Sequence, residues 1–107
     1  MKEEIPNFSY INKLAKGDNS FVKKLMEIIK SELSGEIATY KLHLANDDLI
    51  KTAEDVHKLS HKISILGLDK GYKIAKDYEL NLLKKKLTLR SEFERILDAM
   101  VLFVKKE

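Results

Sequence analysis

Two histidines one helical turn apart are the residues of this 107-residue chain with the clearest chemical potential. His57 and His61 lie in the segment VHKLSHKISILGL, which begins at Val56. An imidazole has an ordinary pKa of about 6.5, so much of it is neutral at physiological pH and keeps a lone pair for attack on an electrophile or for binding a metal. His57 is therefore a candidate nucleophile, and the pair is a candidate His-x-x-x-His metal site.

The helical periodicity around these histidines places His57 on a polar side. At about 100° per residue, Ile50, His57 and Ser64 form one stripe, with Ser60 and His61 beside it. A separate, broad face collects the apolar residues Leu49, Val56, Leu59, Ile63 and Leu66. The pattern predicts that His57 points away from the core.

The rest of the chain is predicted to be helical as well. It contains one proline and four glycines, and leucine, isoleucine, lysine and glutamate are its dominant residues. Apolar residues recur at helical spacing in five segments, namely 7–14, 20–44, 49–66, 70–83 and a final helix that begins near 91. We expect an all-α fold, an antiparallel four-helix bundle with a short extra N-terminal helix, forming a single domain over residues 1–107.

Polar and glycine residues predict where these helices begin and end. Residues 46–48, Asn-Asp-Asp, break the second segment and cap the histidine helix. Gly67 and Gly71 bracket the next turn. Ser91 and Glu94 have the spacing of a capping box for the last helix.

Composition and charge exclude several classes of function. Without cysteine the chain has no disulfide, thiol nucleophile or cysteine-ligated metal, and no apolar run approaches the roughly 20 residues that span a bilayer. Twenty lysines and arginines against seventeen aspartates and glutamates give a net charge of +3, spread along the chain. This balance suits an acidic protein partner better than a nucleic acid. We expect a cytoplasmic protein without membrane insertion or nucleic-acid binding.

The histidine segment resembles the motif of histidine-containing phosphotransfer (HPt) domains, four-helix modules that relay a phosphoryl group between response-regulator receiver domains in two-component signalling. The motif consists of histidine, any residue, an aliphatic residue, usually lysine and usually glycine, with a further glycine about three helical turns after the histidine. His57, Leu59 and Gly67 fill its first, third and last places. Residues 14–21 look like the family's entry into its long second helix, and residues 77–79 lie where its fourth helix usually has leucine-glutamate.

The resemblance implies a function and its partners. His57 would be the phosphoacceptor, taking a phosphoryl group from a receiver's aspartyl phosphate and passing it to another receiver. Receiver domains, and a hybrid sensor histidine kinase as a further candidate, would be the partners, and the receiver's own Mg²⁺ and lysine would stabilise the transferring group. The chain would then be a monomeric phosphorelay carrier that needs no cofactor, rather than a self-sufficient enzyme.

Two departures from the family motif affect the residues around the phosphoryl group. The usual lysine is Ser60 and the usual small glycine is His61, whose bulk would restrict which receivers dock. Because a hydroxyl supplies a hydrogen bond but no charge, a compensating cation would come from Lys58, Lys62 or protonated His61. We therefore expect Lys58, Ser60, His61 and Lys62 to surround the phosphoryl group.

The docking residues are predicted from the same helix. We expect Ile50, Glu54 and Ser64 to contact a receiver helix and so to align His57 for attack.

Other interpretations stay open at this point. The domain could bind receivers without accepting phosphate, or His57 could be an uncommitted surface histidine. A metal site at His57 and His61 would need a third ligand from Glu54, Asp55 or His43. We retain the prediction that the chain binds neither a metal nor a nucleic acid. His43 shares a face with Leu25 and is predicted to be a partly buried structural histidine, and core or core-edge positions are predicted for Tyr10, Tyr40, Tyr72 and Tyr78.

Overall fold

The structure, a computed structural model, describes residues 4–107, and within that range the chain forms five helices and no strand. The helices are α1 (Ser9–Ala15), α2 (Asn19–Ala45), α3 (Leu49–Ile65), α4 (Asp69–Leu83) and α5 (Arg90–Lys105). The all-helical prediction is confirmed. In the described part of the chain, no helix is both long and apolar enough to cross a membrane.

Side-chain caps mark the starts of α2 and α3. Asp18 accepts a hydrogen bond from the backbone N–H of Phe21 at 3.1 Å and begins α2. Asp48 accepts from the N–H of Lys51 at 3.2 Å and begins α3, so the predicted break at residues 46–48 is confirmed. Each cap satisfies a backbone donor that has no partner within its helix.

Gly67 ends the histidine helix as predicted, with a φ of +79° that side-chain-bearing residues rarely adopt. Gly71 does not bracket the turn, because it lies inside α4. A Cβ at this position would lie only 3.2 Å from Cγ2 of Ile63 on α3. Gly71 therefore allows α3 and α4 to approach closely near the turn that joins them.

The predicted capping box at Ser91 and Glu94 is wrong. Helix α5 begins one residue earlier, at Arg90, and no side chain caps it. The Glu94 carboxylate instead accepts hydrogen bonds from the Tyr40 hydroxyl at 2.9 Å and from Nε of Arg90 at 3.0 Å. The buried Tyr40 phenol thus binds the carboxylate that a capping box would direct to the start of the helix.

Helix α3 lies at the centre of the packing and contacts both α2 and α4, while α5 contacts α2 and α4, and α1 contacts α2. The apolar face of α3 is confirmed, with Leu49 half-buried and the other four members fully buried: Val56, Leu59, Ile63 and Leu66. On α2, Phe21 and Ile28 belong to the apolar spacing of segment 20–44 but are exposed. The buried stripe of α2 is narrower and runs through Met26, Ile29, Leu33, Ile37, Tyr40 and Leu44.

Candidate functional site

His57 is exposed on α3, as the helical periodicity predicted. Its side chain is 48% accessible, whereas the residues next to it on the inner face, Val56 and Leu59, are fully buried. Burial of these neighbours fixes the rotation of α3 about its axis. The imidazole is therefore held at the surface by a helix whose other side is anchored in the core.

Two side chains from α4 meet the Nδ1 atom of His57. Oε1 of Glu79 lies 3.2 Å from Nδ1, and Nζ of Lys76 lies 3.0 Å from the same atom. Lys76 also donates to Oε1 of Glu79 at 3.0 Å, and its ammonium lies 5.9 Å from the ring centre of Tyr72. The histidine, the carboxylate and the ammonium form one polar cluster across the α3–α4 pair.

The two contacts at Nδ1 correspond to different tautomers of His57. A protonated Nδ1 donates to Glu79 and leaves the lone pair on Nε2, whereas an unprotonated Nδ1 accepts from Lys76 and places the proton on Nε2. Only the first tautomer offers a nucleophile at Nε2. The Glu79 carboxylate favours that tautomer because it only accepts hydrogen bonds when ionised, whereas the Lys76 ammonium, which only donates, favours the other one.

His61 lies beside His57, with ring centres 5.0 Å apart and an edge-on arrangement. His61 is exposed, and its place beside a phosphoryl group stays a prediction. Ser60 is fully buried, and its hydroxyl donates to the backbone carbonyl of His57 at 2.6 Å. This placement corrects the expectation that Ser60 donates to a phosphoryl group, because its one hydroxyl proton is already used.

Lys62 is not brought to the imidazole. Its Nζ donates to Glu32 at 3.0 Å and to Glu36 at 3.1 Å, both on α2. Lys58 lines a groove between α2 and α3 together with those two glutamates. The reason is the position of each lysine around the helix axis. Lys58 lies about 100° and Lys62 about 140° from His57, on the side that faces α2. The contacts of Lys62 therefore correct the expectation for that lysine, whereas a place for the exposed Lys58 beside a phosphoryl group stays a prediction.

The ion pairs of Lys62 raise the pKa of its ammonium. Burial between α2 and α3 lowers the pKa of the Lys62 ammonium, but hydrogen bonds to Glu32 and Glu36 outweigh burial, so the pKa is raised above its ordinary value. Lys62 therefore stays charged and joins α3 to α2.

The predicted docking residues share the exposed stripe of His57. Ile50 is 69% accessible, and Glu54 and Ser64 are exposed. Helix α4 adds two exposed apolar side chains, Leu80 and Leu83, that the sequence reasoning did not single out. They follow Lys76 by four and seven residues and so lie on its side of α4.

Lys76 was missed altogether, and Glu79 was noted only for its place in the family pattern. The distances of these residues from the turn at Gly67 could have indicated both of them. His57 lies ten residues before Gly67, whereas Lys76 lies nine and Glu79 twelve residues after it. Two helices joined by a short turn pack antiparallel, so residues equally far from the turn meet across the pair.

A metal site receives no support in the described part of the chain, where no group of three or more histidine, cysteine, aspartate or glutamate side chains is placed to hold an ion. Two of the predicted third ligands bind each other instead, since Nδ1 of His43 lies 2.5 Å from Oδ2 of Asp55. His43 is partly buried, as predicted.

Tyr40 and Tyr78 are fully buried in the core, while Tyr10 and Tyr72 are exposed at 46% and 38%. The prediction for the tyrosines therefore holds for the first two and not for the other two, whose rings lie at the surface.

Comparison with protein-family models, with curated proteins and with solved structures found no match. The case for a function therefore depends on the geometry of the site itself.

Proposed function

We propose that this chain is a histidine phosphotransfer domain that accepts a phosphoryl group on Nε2 of His57 from the aspartyl phosphate of a receiver domain and passes it to a second receiver. One observation carries the proposal. The His57 imidazole is exposed on a rigid helix, and the Glu79 carboxylate 3.2 Å from Nδ1 favours the tautomer whose Nε2 lone pair is free.

The transfer balances with the groups of the site. The Nε2 lone pair attacks phosphorus while the bond between phosphorus and the receiver carboxylate oxygen breaks, and the carboxylate leaves with the electron pair. The proton on Nδ1 stays in its hydrogen bond to Glu79, whose charge compensates the positive ring that forms. The reverse sequence returns the phosphoryl group to a second receiver and restores neutral His57.

The architecture that we propose is an antiparallel four-helix bundle of α2 to α5 with α1 as a short extra helix. Its support is the closed cycle of contacts, in which α2 packs on α3, α3 on α4, α4 on α5 and α5 on α2. Such a bundle would act as one domain and as a monomer in the cytoplasm.

A receiver would dock on the surface that surrounds His57. We propose that Ile50, Glu54 and Ser64 from α3 contact the receiver together with Leu80 and Leu83 from α4. These side chains are exposed, and they combine apolar area with polar groups beside the imidazole. Contact over this area would hold Nε2 in line for attack.

The test is phosphotransfer from a panel of phosphorylated receiver domains to the native chain, His57→Gln and His61→Gln. We expect an acid-labile label on the native chain and on His61→Gln, and none on His57→Gln. His61 is the matched control because it is an exposed histidine one turn away on the same helix. Label that persists in His57→Gln would contradict the proposal, and receiver binding without any label would identify a phosphate-incompetent docking module.

A further inference from the structure

We infer that Lys76 is the phosphoryl-binding cation of this site, so that the positive charge comes from α4 and not from the helix that carries His57. The inference rests on the proposed function and adds a residue to it. Lys76 is placed by its contacts, with Nζ 3.0 Å from Nδ1 of His57 and 3.0 Å from Oε1 of Glu79.

The nearby lysines of α3 are directed elsewhere. Lys62 is held by Glu32 and Glu36 on α2, and Lys58 lines the groove between α2 and α3. Among residues 4–107, Lys76 is the one basic side chain in hydrogen-bonding contact with the imidazole of His57.

The reactive tautomer leaves Lys76 with unused hydrogen-bonding capacity. When Nδ1 of His57 carries its proton, it offers no lone pair to the ammonium 3.0 Å away. Of the three N–H groups of Lys76, one then binds Glu79, and the side chain is 33% accessible. The flexible four-carbon stem lets the ammonium move from the protonated nitrogen toward a group on Nε2 while its bond to Glu79 persists.

The charge of the cluster also requires a cation. A bound phosphoryl group carries about two negative charges near neutral pH, and the Glu79 carboxylate that orients the ring would repel it. Lys76 offsets Glu79 in the resting site and then donates to the phosphoryl oxygens as charge builds on them. One lysine thus allows a carboxylate to orient the nucleophile without opposing the incoming group.

The experiment uses potassium phosphoramidate, a small-molecule donor that needs no receiver. Nε2 attacks its phosphorus, the phosphorus–nitrogen bond breaks and ammonia leaves. The rate of His57 labelling is measured for the native chain, Lys76→Met, Lys76→Arg and Lys73→Met, with His57→Gln as the blank. Lys73 is the matched control because it lies one turn earlier on α4, is 78% accessible and pairs with Asp77 at 3.1 Å.

We expect Lys76→Met to slow labelling about tenfold, Lys76→Arg to restore most of the rate, and Lys73→Met to match the native chain. The thermal unfolding of Lys76→Met should stay native-like, and the ¹⁵N shifts of its His57 ring should show the proton on Nδ1, because only the Glu79 acceptor remains at that nitrogen. These two readouts separate loss of phosphoryl binding from a structural effect and from loss of the reactive tautomer.

Labelling of Lys76→Met at the native rate would overturn the inference, as would equal slowing in Lys73→Met, which would reveal general electrostatic steering. If phosphoramidate labels His57 in a Lys76-dependent way but no receiver transfers to it, the proposed relay function fails while the assignment of Lys76 stands. If phosphoramidate does not label His57 in the native chain, both fail.

Discussion

Two histidine–carboxylate pairs flank α3, and they differ in burial and in the groups around them. His43 on α2 lies 2.5 Å from Asp55, with side chains that are 24% and 8% accessible. His57 lies 3.2 Å from Glu79, with side chains that are 48% and 22% accessible. Only the second pair includes a lysine, Lys76, at the same ring nitrogen.

The comparison shows that a histidine–carboxylate pair does not by itself identify a nucleophile. The pair of His43 and Asp55 joins α2 to α3, and its carboxylate is buried, so the hydrogen bond mainly satisfies a polar group in the packed interface. The pair of His57 and Glu79 orients a ring that a partner can reach. Exposure of the ring and the presence of a third, cationic group distinguish the pair that we propose to be reactive from the buried one.

Breaking the buried pair should produce the largest effect on stability, and breaking the exposed pair should produce little. His43→Ala leaves the Asp55 carboxylate buried without its partner, and we expect a loss of about 2–3 kcal/mol in the free energy of unfolding. His57→Ala should change this free energy by less than about 0.5 kcal/mol, because the ring is exposed. Urea unfolding at neutral pH measures both. Equal losses would show that the two pairs do not differ as described.

The two lysines on the α2 side of α3, Lys62 and Lys58, provide a smaller contrast. Lys62→Met removes the cation that joins Glu32 and Glu36 to α3, and we expect about 1–2 kcal/mol of destabilisation with an unchanged rate of phosphoramidate labelling. Lys58→Met, at an exposed neighbouring position, should leave stability within about 0.5 kcal/mol of native. A marked fall in the labelling rate of folded Lys62→Met would return Lys62 to the phosphoryl site.

Local signals predicted the helix that carries His57 at the surface. The spacing of Val56, Leu59 and Ile63 determines which side of α3 is buried, and a backbone conformation suited to glycine at Gly67 ends the helix. The exposure of His57 follows from these features alone, because the opposite side of a helix with one buried face must meet solvent. This part of the site was therefore predictable.

The partners of His57 depend on how α4 is rotated against α3, and local sequence does not determine that rotation. It follows from the close approach at Gly71 and from burial of the Tyr78 ring, both of which are tertiary contacts. The error over Lys62 had a different origin. Lys62 is close to His57 in the chain but not in space, because five residues turn a helix about 140°.

A buried network of phenols links the helices that hold the two pairs. The Tyr40 hydroxyl on α2 lies 2.9 Å from the Glu94 carboxylate and 2.8 Å from the Tyr78 hydroxyl on α4. Because an ionised carboxylate only accepts, Tyr40 donates its proton to Glu94, so Tyr78 donates to Tyr40. Tyr78 lies between Lys76 and Glu79 in sequence and faces the core, which fixes the rotation of α4 beneath the site.

Burial raises the pKa of both the Tyr40 and the Tyr78 phenol. A group whose pKa is raised by folding retains its proton in the native state when the unfolded chain has lost it, so its stabilising effect is complete below the unfolded pKa and declines above it. With an unfolded phenol pKa of about 10, these tyrosines make the free energy of unfolding fall with pH above about pH 10. The raised pKa of Lys62 contributes in the same direction.

Tyr78→Phe should therefore have a small effect at neutral pH and a distinct one in alkali. At pH 7 we expect a loss of about 1 kcal/mol, because Tyr40 keeps its bond to Glu94. Above pH 10 the decline in stability should become shallower by up to about 1.4 kcal/mol per pH unit, since one protonated phenol no longer contributes. Urea unfolding from pH 7 to 11 tests this against Tyr10→Phe, which removes an exposed hydroxyl on α1. If the two variants show the same alkaline slope, the buried phenol does not control the pH dependence, and the network does not hold α4 against α2 in the way that its contacts indicate.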